Sequence, residues 1–140
     1  MTLRLKAAIA AAILVIAAPA FAAEPSPEGA KVYIIWPKNG TVVKGGKFWI
    51  RMGLVNMGIA PAGVEKAGTG HHHLIIDAEL PPLDEPIPND SNHLHFGKGQ
   101  TEARIELPPG QHTLQLLLGD ANHIPHNPPV YSEKITITVP

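Results

Sequence analysis

The chain has 140 residues, eleven Lys+Arg against twelve Asp+Glu, a formal charge of −1, fifteen prolines, thirteen glycines and no cysteine. This composition offers no basic patch for nucleic acid or anionic lipid and no thiol for a disulfide or a thiolate site. Imidazole nitrogen is therefore the main transition-metal donor, with carboxylates second and three methionines third.

The N-terminus reads as a secretory leader. Arg4 and Lys6 precede the apolar run Ala7 to Ala18, and Ala20-Phe21-Ala22 is a small-x-small cleavage site. The run is short for a membrane span of about 20 residues. Cleavage after Ala22 predicts a periplasmic mature chain of 118 residues beginning at Ala23, with nine basic and twelve acidic residues and a net charge of −3. Without disulfides, one core, or a core plus a bound ligand, must hold this domain.

Residues 23–30 read as a flexible lead-in and residues 31–140 as one domain. Lys31 to Trp36 is β-branched and aromatic and stops at Pro37. Asn39-Gly40 is a turn, Thr41 to Lys44 a short strand, and Gly45-Gly46 a second turn. Lys47 to Leu54 is apolar enough to predict burial on both faces near its middle. Residues 55–70 read as a loop and His71 to Asp77 as a strand. Pro81, Pro82, Pro86 and Pro88 forbid regular structure across Leu80 to Asn92, leaving a long acidic loop. His93 to Phe96 is a short extended piece. Thr101 to Leu107 alternates Ala103, Ile105 and Leu107 against charged residues. Gln111 to Leu118 and Val130 to Val139 complete seven or eight strands without a helix. The pattern predicts an antiparallel β-sandwich of Ig-like or fibronectin-like architecture, with a small closed barrel as the competing layout.

Seven of the eight histidines fall into three clusters: His71 to His73, His93 with His95, and His123 with His126. Side chains alternate along a strand, so His71 and His73 share a face, as do His93 and His95, while His72 takes the core side with Leu74 and Ile76. Asp77 has the parity of His71 and His73. Two imidazoles on one strand face are about 7 Å apart at Cα, so two such pairs can supply the nitrogens that zinc or copper(II) accepts. His71, His73, His93 and His95 are the candidate ligands. His123 and His126 join them from a loop, and Asp77 serves as a ligand or as the acceptor that orients one. The same residues can instead brace loops by hydrogen bonding, and this is the reading for His72 and His112. An N-terminal histidine brace is excluded by Ala23. Met52 fills an apolar strand. Trp36, Trp49 and Tyr33 are expected in the core more than on a sugar-binding face. No nucleophile elbow, phosphate loop or EF-hand spacing is present.

The run Gly70 to Asp77, the run His95 to Glu102, Leu107 to Leu116, Pro125-His126 and Pro128 to Val130 resemble a bacterial exported family, the domain of unknown function 4399, over roughly Lys31 to Val139. That resemblance implies a small exported β domain and carries no activity, substrate or ligand. The expectation is a periplasmic, non-enzymatic domain holding copper or zinc. The alternative is a metal-free cell-envelope module with structural histidines, whose 80–92 and 119–129 loops would meet a protein partner or ligand.

Overall fold

The computed structural model describes residues 22–140; residues 1–21, and with them nearly all of the predicted leader, lie outside the described residues. The described chain is all-β. Its strands are β1 (Lys31–Trp36), β2 (Lys47–Val55), β3 (Gly58–Ile59), β4 (Thr69–Ile76), β5 (His93–His95), β6 (Glu102–Glu106), β7 (Gly110–Gly119) and β8 (Ile135–Val139). They form two sheets in a sandwich-like arrangement. A three-stranded sheet runs β1-β2-β6. A five-stranded sheet runs β3-β4-β7-β8, with β5 also paired to β4. All strand pairs are antiparallel except β3 with β4. No helix among the described residues is long and apolar enough to cross a membrane.

The core lies between the sheets. Val32 and Ile34 of β1, Phe48, Ile50 and Met52 of β2 and Ile105 of β6 face Leu74 and Ile76 of β4, Leu114, Leu116 and Leu118 of β7 and Ile137 of β8. Each fully buried leucine contributes on the order of 2–3 kcal/mol by leaving water. The strands of the smaller sheet alternate cleanly. β2 buries one face and exposes Lys47, Trp49 and Arg51 on the other, so the expected two-sided burial of its middle is not found. Tyr33, Trp36 and Trp49 are also outside the core, each at least 40% exposed. The Tyr33 ring lies across Gly53, its cross-strand partner, where a β-carbon would collide with it.

β4 behaves differently. It is paired along both edges, and seven of its eight residues are buried. Its outer face is covered by the loops at 77–92 and 120–134, where Ile75 and Leu117 pack against Ile87, with Ala78, Leu80 and Leu83 around them. The two loops are tied together by Ile87 N–H donating to the His123 carbonyl (2.8 Å). The layer between this outer sheet face and the loops holds His71, His73, His95 and His123.

Three local expectations are revised. Thr41 to Lys44 is reduced to a single parallel bridge, Val42 with Thr138, lying beside β8 through Gly40 N–H to the Thr136 carbonyl and Val43 N–H to the Thr138 carbonyl. The 55–70 stretch contains β3. Residues 24–30, expected as a flexible lead-in, lie along the 120–134 loop. Ser26 N–H donates to Asn127 O, Asn127 N–H donates to Glu24 O, and Asn56 Nδ2 donates to Gly29 O.

Candidate metal centre

β4 and β7 pair with His71 opposite Gly119 and His73 opposite Leu117, and β4 and β5 pair with His73 opposite His95. This register brings His71, His73 and His95 onto one sheet face. The loop after β7 adds His123. Asp120 is buried and organises that loop as a turn: its Oδ1 accepts from Asn122 N–H (2.8 Å) and Ile124 N–H (3.0 Å), and its carbonyl accepts from His123 N–H (3.0 Å). His123 adopts a left-handed backbone, φ 67°, which turns its ring back over the sheet.

The four rings form one cluster. All six pairs of ring centroids lie between 4.7 and 6.0 Å apart. His71 Nε2 is 3.0 Å from His73 Nε2 and 3.2 Å from His95 Nε2. His71, His95 and His123 each bring one ring nitrogen within 4.8 Å of the others. Two nitrogens bound about 2.0–2.1 Å from one ion are about 2.9 Å apart in a square plane and about 3.3–3.4 Å apart in a tetrahedron. The two Nε2 contacts of His71, at 3.0 and 3.2 Å, lie between those values.

Glycine makes room for the rings. A β-carbon at Gly119 would stand 2.8 Å from His73 Nε2. One at Gly97 would overlap the His95 ring. The open spaces over these two backbones are where the rings lie, so Gly97 and Gly119 belong to the site although they offer no donor. The sequence marks Gly97 only as turn-forming and Gly119 as the start of a loop.

The electrostatics keep His71, His73 and His95 neutral. Burial, followed by the neighbouring His123 and His95, lowers the His71 pKa to about 4. Burial and then His71, His95 and His123 lower His73 to about 2. His95 is lowered too, by burial first and His123 second. His71, His73 and His95 are kept from protonating first by burial and then by neighbouring rings of the same kind. Asp120 opposes the trend at His71. Neutral imidazoles with lone pairs aimed at one point are what a cation needs and a proton satisfies poorly. One proton can serve only one of the two Nε2 contacts of His71. The Nδ1 atoms of His71 and His73 are buried without a hydrogen-bond partner, so packing and not an outer acceptor holds these rings.

The remaining candidates are elsewhere. His93 shares the sheet face of His95 but pairs with Ile75, two pairs along, and its Nδ1 bonds Asp90 Oδ1 at 2.8 Å. His126 is buried beside Gly70, and its Nε2–H donates to the Thr69 carbonyl (3.0 Å). Asp77 lies past the end of β4 with φ 53°, so strand parity no longer applies to it. It is four residues beyond His73, about 13 Å along a strand. Its Oδ1 accepts from Thr113 N–H (2.8 Å) and its Oδ2 bonds His112 Nδ1 (2.6 Å). His72 faces the core, completely buried, with neither ring nitrogen bonded and its pKa lowered by burial to about 4.

The sequence matches the family described as a domain of unknown function (DUF4399) over residues 50–140, a stretch that contains every histidine of the cluster. No curated protein and no solved structure matches the chain. The chain belongs to this DUF4399 family.

Proposed function

We propose that this protein is an exported, non-enzymatic β-domain that binds one divalent transition-metal ion, copper or zinc, in the imidazole cluster, held by His71, His73 and His95 with His123 at its rim. The observation that carries this reading is the convergence of four rings from three separate segments on one buried point, with His71 Nε2 within 3.2 Å of two other Nε2 atoms. Uncompensated, such a cluster is costly, because buried ring nitrogens without partners lose their hydration. A shared cation compensates the facing Nε2 atoms of His71, His73 and His95, while packing alone holds the Nδ1 side of His71 and His73. The donor set is entirely nitrogen, which suits zinc and copper(II) and is hard for calcium and magnesium, which take oxygen.

An Ig-like strand plan and periplasmic residence belong to the same proposal. Export rests on the leader pattern at 1–22, and mass spectrometry of the exported protein is expected to give Ala23 as its first residue. The metal reading is tested by equilibrium dialysis of the untagged mature chain against zinc and copper(II), followed by elemental analysis. One ion per chain, lost in His71→Ala, is the expected result. Metal-free protein after dialysis against both ions overturns the reading and returns the histidines to a bracing role.

A further inference from the structure

The four histidines are two overlapping sets of three. The inner set is His71, His73 and His95, linked by the Nε2 contacts at 3.0 and 3.2 Å. The outer set is His71, His95 and His123, whose ring nitrogens lie within 4.8 Å of one another. His71 and His95 belong to both. His73 and His123 are the most widely separated pair, with centroids 6.0 Å apart.

The two ends of this arrangement differ in access. His71 and His73 are completely buried on a strand paired along both edges. The His73 ring cannot turn away without leaving its space over Gly119. His95 and His123 are partly exposed and form the rim. His123 belongs to a turn whose backbone is held from both sides, by Asp120 and by Ile87. With that backbone fixed and the ring partly exposed, rotation about χ1 is the movement left to His123.

We infer that His123 is a relay ligand: an ion is first taken by His71, His95 and His123, then passes inward as His73 replaces His123, and leaves by the reverse exchange. This rests on the metal-binding reading above. In each exchange one nitrogen–metal bond forms as another breaks, and the charge of the ion is unchanged. A group that only lowers the barrier between outside and inside speeds both directions equally and leaves the equilibrium nearly untouched. A plain fourth ligand does the opposite, strengthening binding mainly by slowing release.

The test uses zinc and the chromophoric chelator 4-(2-pyridylazo)resorcinol with the full mature chain. Apo protein mixed with the zinc–chelator complex gives uptake, zinc-loaded protein mixed with free chelator gives release, and the end point gives affinity. The variant is His123→Asn, because asparagine tolerates the left-handed backbone that alanine resists. A thermal melt matching the wild type shows that it folds. His123→Asn is expected to slow uptake and release alike by about tenfold while affinity moves less than about threefold; His73→Ala loses at least about 100-fold in affinity, more than the loss of an outer hydrogen-bond partner costs. Unchanged rates in His123→Asn, or an affinity loss as large as that of His73→Ala, overturn the relay. If the wild type takes up neither zinc nor, in the same assay, copper(II), the metal-binding reading fails with it; one bound ion with unaffected rates removes the relay alone.

Discussion

Two groups of histidines in this molecule have opposite surroundings. At one end of β7, His112 is 8% exposed, with Nδ1 2.6 Å from Asp77 Oδ2 and Nε2 2.8 Å from the Pro108 carbonyl. Both partners accept only, so both ring nitrogens donate and the ring is an imidazolium. Its pKa is raised, first by the Asp77 hydrogen bond, and burial works against the shift. At the other end of β7, beyond Gly119, the His71 cluster has rings whose nearest polar neighbours are one another, and their pKa values fall. The same side chain is held charged in one place and neutral in the other. The deeper burial of His71 and His73 is the first source of the difference, and what each nitrogen meets is the second. An imidazole facing fixed acceptors braces the fold, and imidazoles facing each other leave their lone pairs for an ion.

The largest expected effect comes from acid. For His71 and His73 the folded pKa lies below the unfolded value of 6.5, so the folded state binds fewer protons. Their contribution is intact above pH 6.5 and is lost as pH falls toward 4, at a cost of order several kcal/mol to the apo protein. His72 acts in the same direction. His112 has the opposite sign. Its contribution is complete below pH 6.5 and is lost as pH rises through its raised folded value. Melting temperatures of the apo protein between pH 4 and 9 are expected to peak near neutrality, with the steeper fall on the acid side. At pH 7, zinc at a hundred times its dissociation constant is expected to add about 2.7 kcal/mol. A flat acid limb would mean that the cluster rings take up protons freely and are not held neutral.

Substitution separates the two groups next. His71→Ala removes the ring common to every contact in the cluster and is expected to lower metal affinity at least about 100-fold, whereas His112→Ala leaves it within about threefold. Titration calorimetry of both variants checks this. Gly119→Ala tests the same geometry without touching a donor. The added methyl meets His73 Nε2 at 2.8 Å, and displacing that ring is expected to cost about tenfold in affinity. Unchanged affinity in Gly119→Ala would mean that His73 need not lie where the structure places it. Conversely, His112→Ala is expected to destabilise the fold by about 1–2 kcal/mol, discounted because Asp77 is partly exposed, and to flatten the alkaline limb of the pH profile.

Much of the fold was legible because local rules governed it. Thr101 to Leu107 alternates and becomes β6, and the proline-dense stretch at 80–92 stays irregular. What escaped depended on tertiary context. Nothing local says that Trp49 and Tyr33 face outward, since an aromatic on a strand fits either side of a sheet until the partner sheet is placed. For the cluster, parity correctly joined His71 with His73. It could not show that the register would set His95 opposite His73, nor that the Asp120 turn would bring His123 over the same point. It also carried Asp77 into the set, because parity assumes that the strand continues and a left-handed residue ends it. The glycines at 97 and 119 escaped because their importance lies in an absent side chain, visible only once a neighbour fills the space.

His93 gives the smallest expected effect and the sharpest test of parity against register. Parity alone gives it the same standing as His95, two residues away on the same face. The register offsets it by two pairs along β4, opposite Ile75, where its Nδ1 meets Asp90, whose carboxylate also accepts from Asn92 N–H. Asp90 is held below the usual carboxylate range, first by the His93 hydrogen bond. The pair is a loop brace in solvent, where such contacts contribute little. His93→Ala is accordingly expected to leave metal stoichiometry unchanged and affinity within about threefold, well short of the roughly 10–100-fold that even an outer hydrogen-bond partner of a ligand commands. A loss in His93→Ala matching that of His95→Ala would show that the 90–93 turn rearranges when an ion binds and that strand parity had identified a ligand the apo register hides.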